Sequence, residues 1–115
     1  MKVEGLKPPL IAIVGPTAVG KTELSLQLAE RFNGEIISSD SRLFYRGMDI
    51  GTAKPSQAEM ARVPHHLIDV SDPDKTWSLG QFQRAAAEII EYIVARGKLP
   101  FLVGGTGQYY RAVTE

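Results

Sequence analysis

The chain contains no cysteine, which excludes a disulfide framework, a thiolate metal site and a cysteine nucleophile. It also lacks an excess of charge, since 13 Lys and Arg balance 13 Asp and Glu. Proteins that grip nucleic acid through phosphates usually show a basic excess, so whole-chain electrostatics give no reason to expect an RNA partner. No apolar run approaches the roughly 20 residues of a membrane helix. The opening Met1-Lys2-Val3-Glu4 lacks the apolar stretch of a secretory signal, so a cytoplasmic protein with no membrane association is expected. Aromatics are few, at 8%, yet 43% of the 115 residues are hydrophobic and 23% charged. That balance excludes a disordered tail, a collagen and a coiled coil, and it fits one globular domain at most.

What is present reads as alternating strands and helices. After Pro8-Pro9, residues 10–14 are continuously apolar and stop at Gly15, as in a strand buried on both faces. In residues 21–32 the apolar Leu24, Leu28 and Phe32 recur every fourth position, and Asn33-Gly34 can end the helix they predict. Residues 35–38 read as a second strand, closed by the polar Ser39-Asp40-Ser41. A long connection over 42–63 contains a short helix that Ser56 and Glu59 open as a capping box. Residues 66–70 are expected to be a third strand, and Ser71-Asp72-Pro73-Asp74 a turn. The next helix starts at Ser78, with Gln81 completing a capping box and Trp77 and Phe82 spaced as a hydrophobic staple. Its stripe of Phe82, Ala85, Ala86, Ile89, Ile90 and Ile93 faces a sheet, and Gly97 terminates it. Residues 99–103 form another buried strand, and Gly104-Gly105-Thr106-Gly107 leads into a helix through Tyr109, Tyr110 and Val113.

The run Gly15-Pro16-Thr17-Ala18-Val19-Gly20-Lys21-Thr22 matches G-x-x-x-x-G-K-[ST] between a predicted strand and a predicted helix, the context in which this motif holds phosphates. Chance alone should produce such a match in about one chain of this length in a few hundred. The glycines let backbone amides point inward, the helix N-terminus adds positive dipole, Lys21 adds a full charge and the Thr22 hydroxyl suits Mg²⁺. The motif specifies a nucleotide or diphosphate site without naming a reaction. The fold class is α/β, a P-loop NTPase-like doubly wound parallel sheet with flanking helices and an incomplete core.

Asp40, just past the second strand, falls at the carboxyl edge of such a sheet, beside the phosphate loop. There it serves either as a base or metal ligand, or as the cap of an ordinary turn. Asp69 follows the apolar pair Leu67-Ile68, as a Mg²⁺-supporting carboxylate does in many phosphate-loop proteins, but the commonplace pattern favours a structural Asp. His65 and His66 lack the companions of a metal site and read as structural. Thr106 belongs to the same edge, as a site residue or as a helix cap.

Four segments resemble the tRNA dimethylallyltransferases, also called tRNA isopentenyltransferases. They are the phosphate loop; Ser39-Asp40-Ser41 running on to Tyr45-Arg46-Gly47-Met48-Asp49-Ile50-Gly51-Thr52-Ala53-Lys54-Pro55; Val63-Pro64-His65-His66-Leu67-Ile68-Asp69; and Gly104-Gly105-Thr106-Gly107 with Tyr109. The resemblance begins near Pro9 and covers the rest of the chain. It implies that residues 1–115 are the amino-terminal part of a P-loop prenyltransferase core, without its carboxy-terminal core and helical tRNA-binding region.

The resemblance further implies transfer of a dimethylallyl group from dimethylallyl diphosphate to the exocyclic amine of the adenosine adjacent to the anticodon of tRNA, with release of diphosphate. By the match, Asp40 is the base, Thr106 lies near the transferred group, and Lys21 with the loop of residues 15–22 holds the diphosphate. Asp40, Ser41, Arg42, Leu43 and Thr106 correspond to residues at the flipped-out tRNA base. Mg²⁺ is the expected cofactor, through Thr22, and a monomer is the expected state. Many family members carry Gln where this chain has Leu43, so that a polar contact to the adenine is either absent or replaced here. Three alternatives stand beside this reading: an adenylate isopentenyltransferase, a small-molecule P-loop kinase, and an inactive phosphate-binding fragment.

Overall fold

A strand buried on both faces needs apolar residues at consecutive positions, and the short runs of this chain satisfy that condition. The structure, a computed structural model, describes residues 2–6, 10–14, 21–40, 55–71 and 78–104. In chain order the elements are β1 (Lys2–Leu6), β2 (Leu10–Val14), α1 (Lys21–Arg31), β3 (Gly34–Ser38), α2 (Gln57–Arg62), β4 (His65–His66), α3 (Leu79–Ala95) and β5 (Leu99–Gly104). The sheet has the order β1-β2-β5-β3-β4. β2, β5, β3 and β4 run parallel.

Helices cover both faces. Leu10, Ala12, Ile37 and Leu102 pack with Phe82, Ala86 and Ile93 of α3, whereas Ile13, Ile36 and Phe101 pack with Leu26 and Ala29 of α1. Neighbouring strand residues therefore enter opposite layers, as the period of two requires, and neither layer can tolerate a polar surface. The connection from β2 to β3 steps over β5 and runs through α1; that from β4 to β5 steps back over β3 and runs through α3. Opposite directions on opposite faces give both crossovers one hand, as the rule for βαβ units demands.

Local chemistry sets the helix ends. At both Ser56 and Ser78 the hydroxyl accepts the N–H three residues on, and Glu59 or Gln81 accepts the cap N–H in return. Asn33 ends α1 with φ of 54°, and Gly97 ends α3 with φ of 76°, the left-handed geometry that stops a helix. Arg62 then straps α2 to α1, donating to Glu23 at 3.1 Å and Glu30 at 2.6 Å.

The four strands β2, β5, β3 and β4 form the expected parallel sheet, to which β1, not anticipated from the sequence, adds an antiparallel edge beside β2. Only residues 7–9 separate β1 from β2, too few for the crossover a parallel pair needs. The third strand does not reach from 66 to 70: β4 ends at His66, and Leu67 and Asp69 take φ of 65° and 56°. That left-handed bend ends the strand, and Leu67 is buried in the α3-side core. The Leu24-Leu28-Phe32 stripe of α1 is buried only in part: Leu28 packs against the core, Phe32 is 53% exposed, and the buried line is Ser25, Leu26 and Ala29. Trp77, the turn at 72–74, the connection over 42–54 and the helix expected after Gly107 lie outside the described residues.

Candidate active site

Parallel strands share one carboxyl edge, and in an α/β sheet the residues that follow those strand ends meet there. The register brings three ends into line. Val14 of β2 is opposite Gly104 of β5, and Val103 of β5 is opposite Ser38 of β3. The chain leaving β2 is the phosphate loop, the chain leaving β3 carries Asp40, and the chain leaving β5 carries Thr106. One strand width of about 5 Å separates each end from the next.

Lys21 and Thr22 open α1 in its first turn. Six residues, 15–20, thus separate the end of β2 from the start of α1, the spacing that the G-x-x-x-x-G-K-[ST] motif has between a strand and a helix. Gly15, Pro16, Thr17, Ala18, Val19 and Gly20, together with Ser41, Arg42, Leu43 and Thr106, lie outside the described residues. So do the side chains of Lys21 and Thr22.

Asp40 is half-buried, two residues past the end of β3. Its N–H donates to the Ser38 hydroxyl at 3.1 Å. Ser39 extends the ladder by one residue, its N–H donating to the Val103 carbonyl at 2.9 Å and its hydroxyl to the same oxygen at 3.3 Å. Gly104 allows this approach, because a Cβ there would meet the Ser39 Oγ and stand 3.2 Å from the Ser39 C and Cβ. None of Ser38, Ser39 and Gly104 is assigned a site role from sequence, although Ser39 and Gly104 lie in segments that carry the family resemblance. A hydroxyl at a strand end followed by a turn is the one local sign of their role.

The remaining candidates have other settings. His65 shares a 2.7 Å hydrogen bond between Nδ1 and the Val63 carbonyl, and burial holds its imidazole below the usual histidine range. His66 Nε2 lies 2.7 Å from Glu35 Oε1, so both histidines have structural partners, as their sequence setting implies. Asp69 is an exposed residue of the left-handed bend after β4. Among the described residues no helix is long and apolar enough to cross a membrane.

Comparison with known proteins agrees with this geometry. The family described as IPP transferase matches residues 43–115. The chain is 68% identical over 107 residues to a tRNA dimethylallyltransferase of Roseiflexus sp. (strain RS-1), covering 93% of this chain and 35% of that protein. It superposes with a TM-score of 0.88 on the full-length tRNA isopentenylpyrophosphate transferase of Bacillus halodurans, at 61% identity over 93% of this chain and 35% of that one. A eukaryotic dimethylallyltransferase acting on tRNA gives 0.83 at 40% identity, over 90% of this chain and 25% of that one. The chain thus spans about a third of the length of the curated relatives it matches. A strand, phosphate-loop sequence and helix in the right order, an acidic residue beyond the next strand in the chain, and these relatives lead to one conclusion: the chain belongs to the IPP transferase family.

Proposed function

We propose that this chain is the amino-terminal, donor-binding part of a tRNA dimethylallyltransferase, whose remaining core and basic tRNA-gripping helices lie further along the same protein. The observation that carries the reading is the register Val14–Gly104 and Val103–Ser38, which gathers the three motif-bearing strand ends at one edge. The enzyme acts as a monomer in the cytoplasm.

In the reaction the adenine exocyclic nitrogen bonds to the allylic carbon, the bond from that carbon to the diphosphate oxygen breaks, and diphosphate leaves with the electron pair. Charge grows on the leaving group, so donors fixed around it stabilise the transition state more than the ground state. Lys21 and the backbone N–H groups of residues 15–20 other than Pro16 fill that role. The amine is a weak nucleophile because its lone pair is delocalised into the ring, and Asp40 accepts the proton it sheds. Thr106 flanks the transferred group, and Ser41, Arg42 and Leu43 contact the adenine, which must leave its stack to reach the diphosphate. A hydroxyl in the first turn after the loop, with diphosphate oxygens beside it, is an all-oxygen donor set that suits Mg²⁺. Thr22 would hold the ion, whose chemistry is to neutralise charge on the diphosphate.

Transfer of a labelled dimethylallyl group to tRNA tests the reading. Lys21→Ala is expected to weaken donor binding, whereas Asp40→Asn is expected to slow transfer about 100-fold or more with donor affinity kept. Equal losses of transfer and donor binding in Asp40→Asn would make Asp40 structural or a metal ligand. AMP serving in place of tRNA would point to an adenylate isopentenyltransferase, and ATP turnover on a small acceptor to a kinase.

A further inference from the structure

At the end of β3 two hydroxyls are buried where an apolar side chain would pack more favourably. Ser38 and Ser39 are only 3% and 5% exposed. By strand alternation Ser38 shares a face with Ile36, which packs in the layer of Ile13, Leu26 and Phe101. Burying a hydroxyl there costs free energy unless it is hydrogen-bonded. Ser38 Oγ accepts the Asp40 N–H at 3.1 Å and lies 3.5 Å from the Asp40 carbonyl. Its hydroxyl therefore acts on the turn that carries Asp40. Ser39 ties the same turn to β5 through its two bonds to the Val103 carbonyl, one residue before the glycine-rich run that holds Thr106.

We infer that Ser38, seconded by Ser39, is a positioning residue for prenyl transfer: it sets the backbone of Asp40 against the end of β5, so that the base keeps one place at the carboxyl edge of the sheet. The inference rests on the reading of Asp40 as the base. Asp40 lies beyond the strand ladder, and a turn free to rotate there would move its carboxylate by about an ångström, a displacement that can lower a rate about 100-fold. Residues 15–20 connect β2 to α1 and not to this turn, so donor binding is expected to be independent of it.

The test uses the full-length enzyme and separates kcat from donor KM. Ser38→Ala is expected to lower kcat at least about 10-fold with donor KM held within about twofold. Ser38→Thr, which restores the hydroxyl on a side chain suited to a strand, is expected to recover most of the rate. Ser38→Ala added to Asp40→Asn is expected to cost nothing further, because a residue that acts through Asp40 is silent once the base is gone. Parental kcat in Ser38→Ala beside an impaired Asp40→Asn overturns the inference while leaving the base reading intact. A joint loss of kcat and donor affinity, or a further loss in the double variant, shows that Ser38 merely supports the fold, and it overturns the inference as well. Undiminished transfer in Asp40→Asn removes the base reading, and the inference with it.

Discussion

Glu35 in β3 and Arg96 just past α3 stand 61 residues apart in sequence and 2.6 Å apart in space. The carboxylate is 3% exposed and also meets His66 Nε2 at 2.7 Å, while the Arg96 guanidinium lies over the Tyr92 ring, 4.0 Å from its centroid. One buried charge thus joins β3, β4 and the end of α3, near the amino end of the sheet and away from the candidate site. Removing one partner of a buried pair leaves the other charge uncompensated, whereas removing both can be nearly neutral. Arg96→Met is therefore expected to lower the urea midpoint, and Glu35→Leu added to it to restore part of the loss. A double variant less stable than Arg96→Met alone would show that the pair matters for more than mutual compensation.

Acid should destabilise the fold in two separate windows. Burial outweighs the hydrogen bond to Val63 and holds His65 below its ordinary value. The unfolded chain therefore takes up a proton first, and stability present above about pH 6.5 declines as pH falls toward the lowered folded value. Burial pushes Glu35 up, but hydrogen bonds from Arg96 and His66 and their charges outweigh it, leaving the carboxyl lowered. Its contribution is complete above the unfolded value of about 4.3 and is lost as pH falls below it. Denaturant midpoints at pH 7.5, 5.5 and 4 resolve the two windows. His65→Gln should remove its share of the loss between pH 7.5 and 5.5 and leave the acid window in place.

The buried line of α1 can be tested directly. Leu26 is fully buried against Ile13 and Phe101, whereas Phe32 is 53% exposed. Leu26→Ala is expected to cost about 2–5 kcal/mol and Phe32→Ala about 0.5 kcal/mol or less. Equal costs by chemical denaturation would return Phe32 to the core.

Two glycines should fail for different reasons when replaced by Ala. At Gly34 an added Cβ would meet the Phe101 ring and stand 2.6 Å from the Leu99 carbonyl oxygen, so Gly34→Ala is expected to cost about 1–3 kcal/mol through overpacking. At Gly97 nothing lies within 4 Å, but φ is 76°, and Gly97→Ala should cost about 1–2 kcal/mol through backbone strain. Phe101→Leu should relieve the first substitution only in part, because the Leu99 carbonyl oxygen stays in place, and leave the second unchanged. Gly97→Asn should be milder than Gly97→Ala, because Asn tolerates the left-handed region.

Whatever rests on near neighbours in the chain was legible in the sequence. The capping boxes at Ser56 and Ser78 depend on residues three apart, and the stop at Gly97 on a single missing Cβ. The apolar runs of β2, β3 and β5 and the phosphate-loop spacing are equally local, and the α/β class with Asp40 beyond the second strand followed from their order. Whatever depends on which surfaces meet was decided by the tertiary structure. α1 offers apolar residues on more than one side, and only docking on Ile13 and Phe101 buries Leu26 and Ala29 fully and Leu28 in part and leaves Phe32 outside. β1 has meaning only as the antiparallel neighbour of β2, and β4 is cut short because Leu67 turns into the core. The partnership of Glu35 with Arg96, and that of Ser39 with Val103 and Gly104, joins residues more than sixty apart. No local pattern encodes such pairs, because their free energy exists only once the sheet has closed and water has left between them.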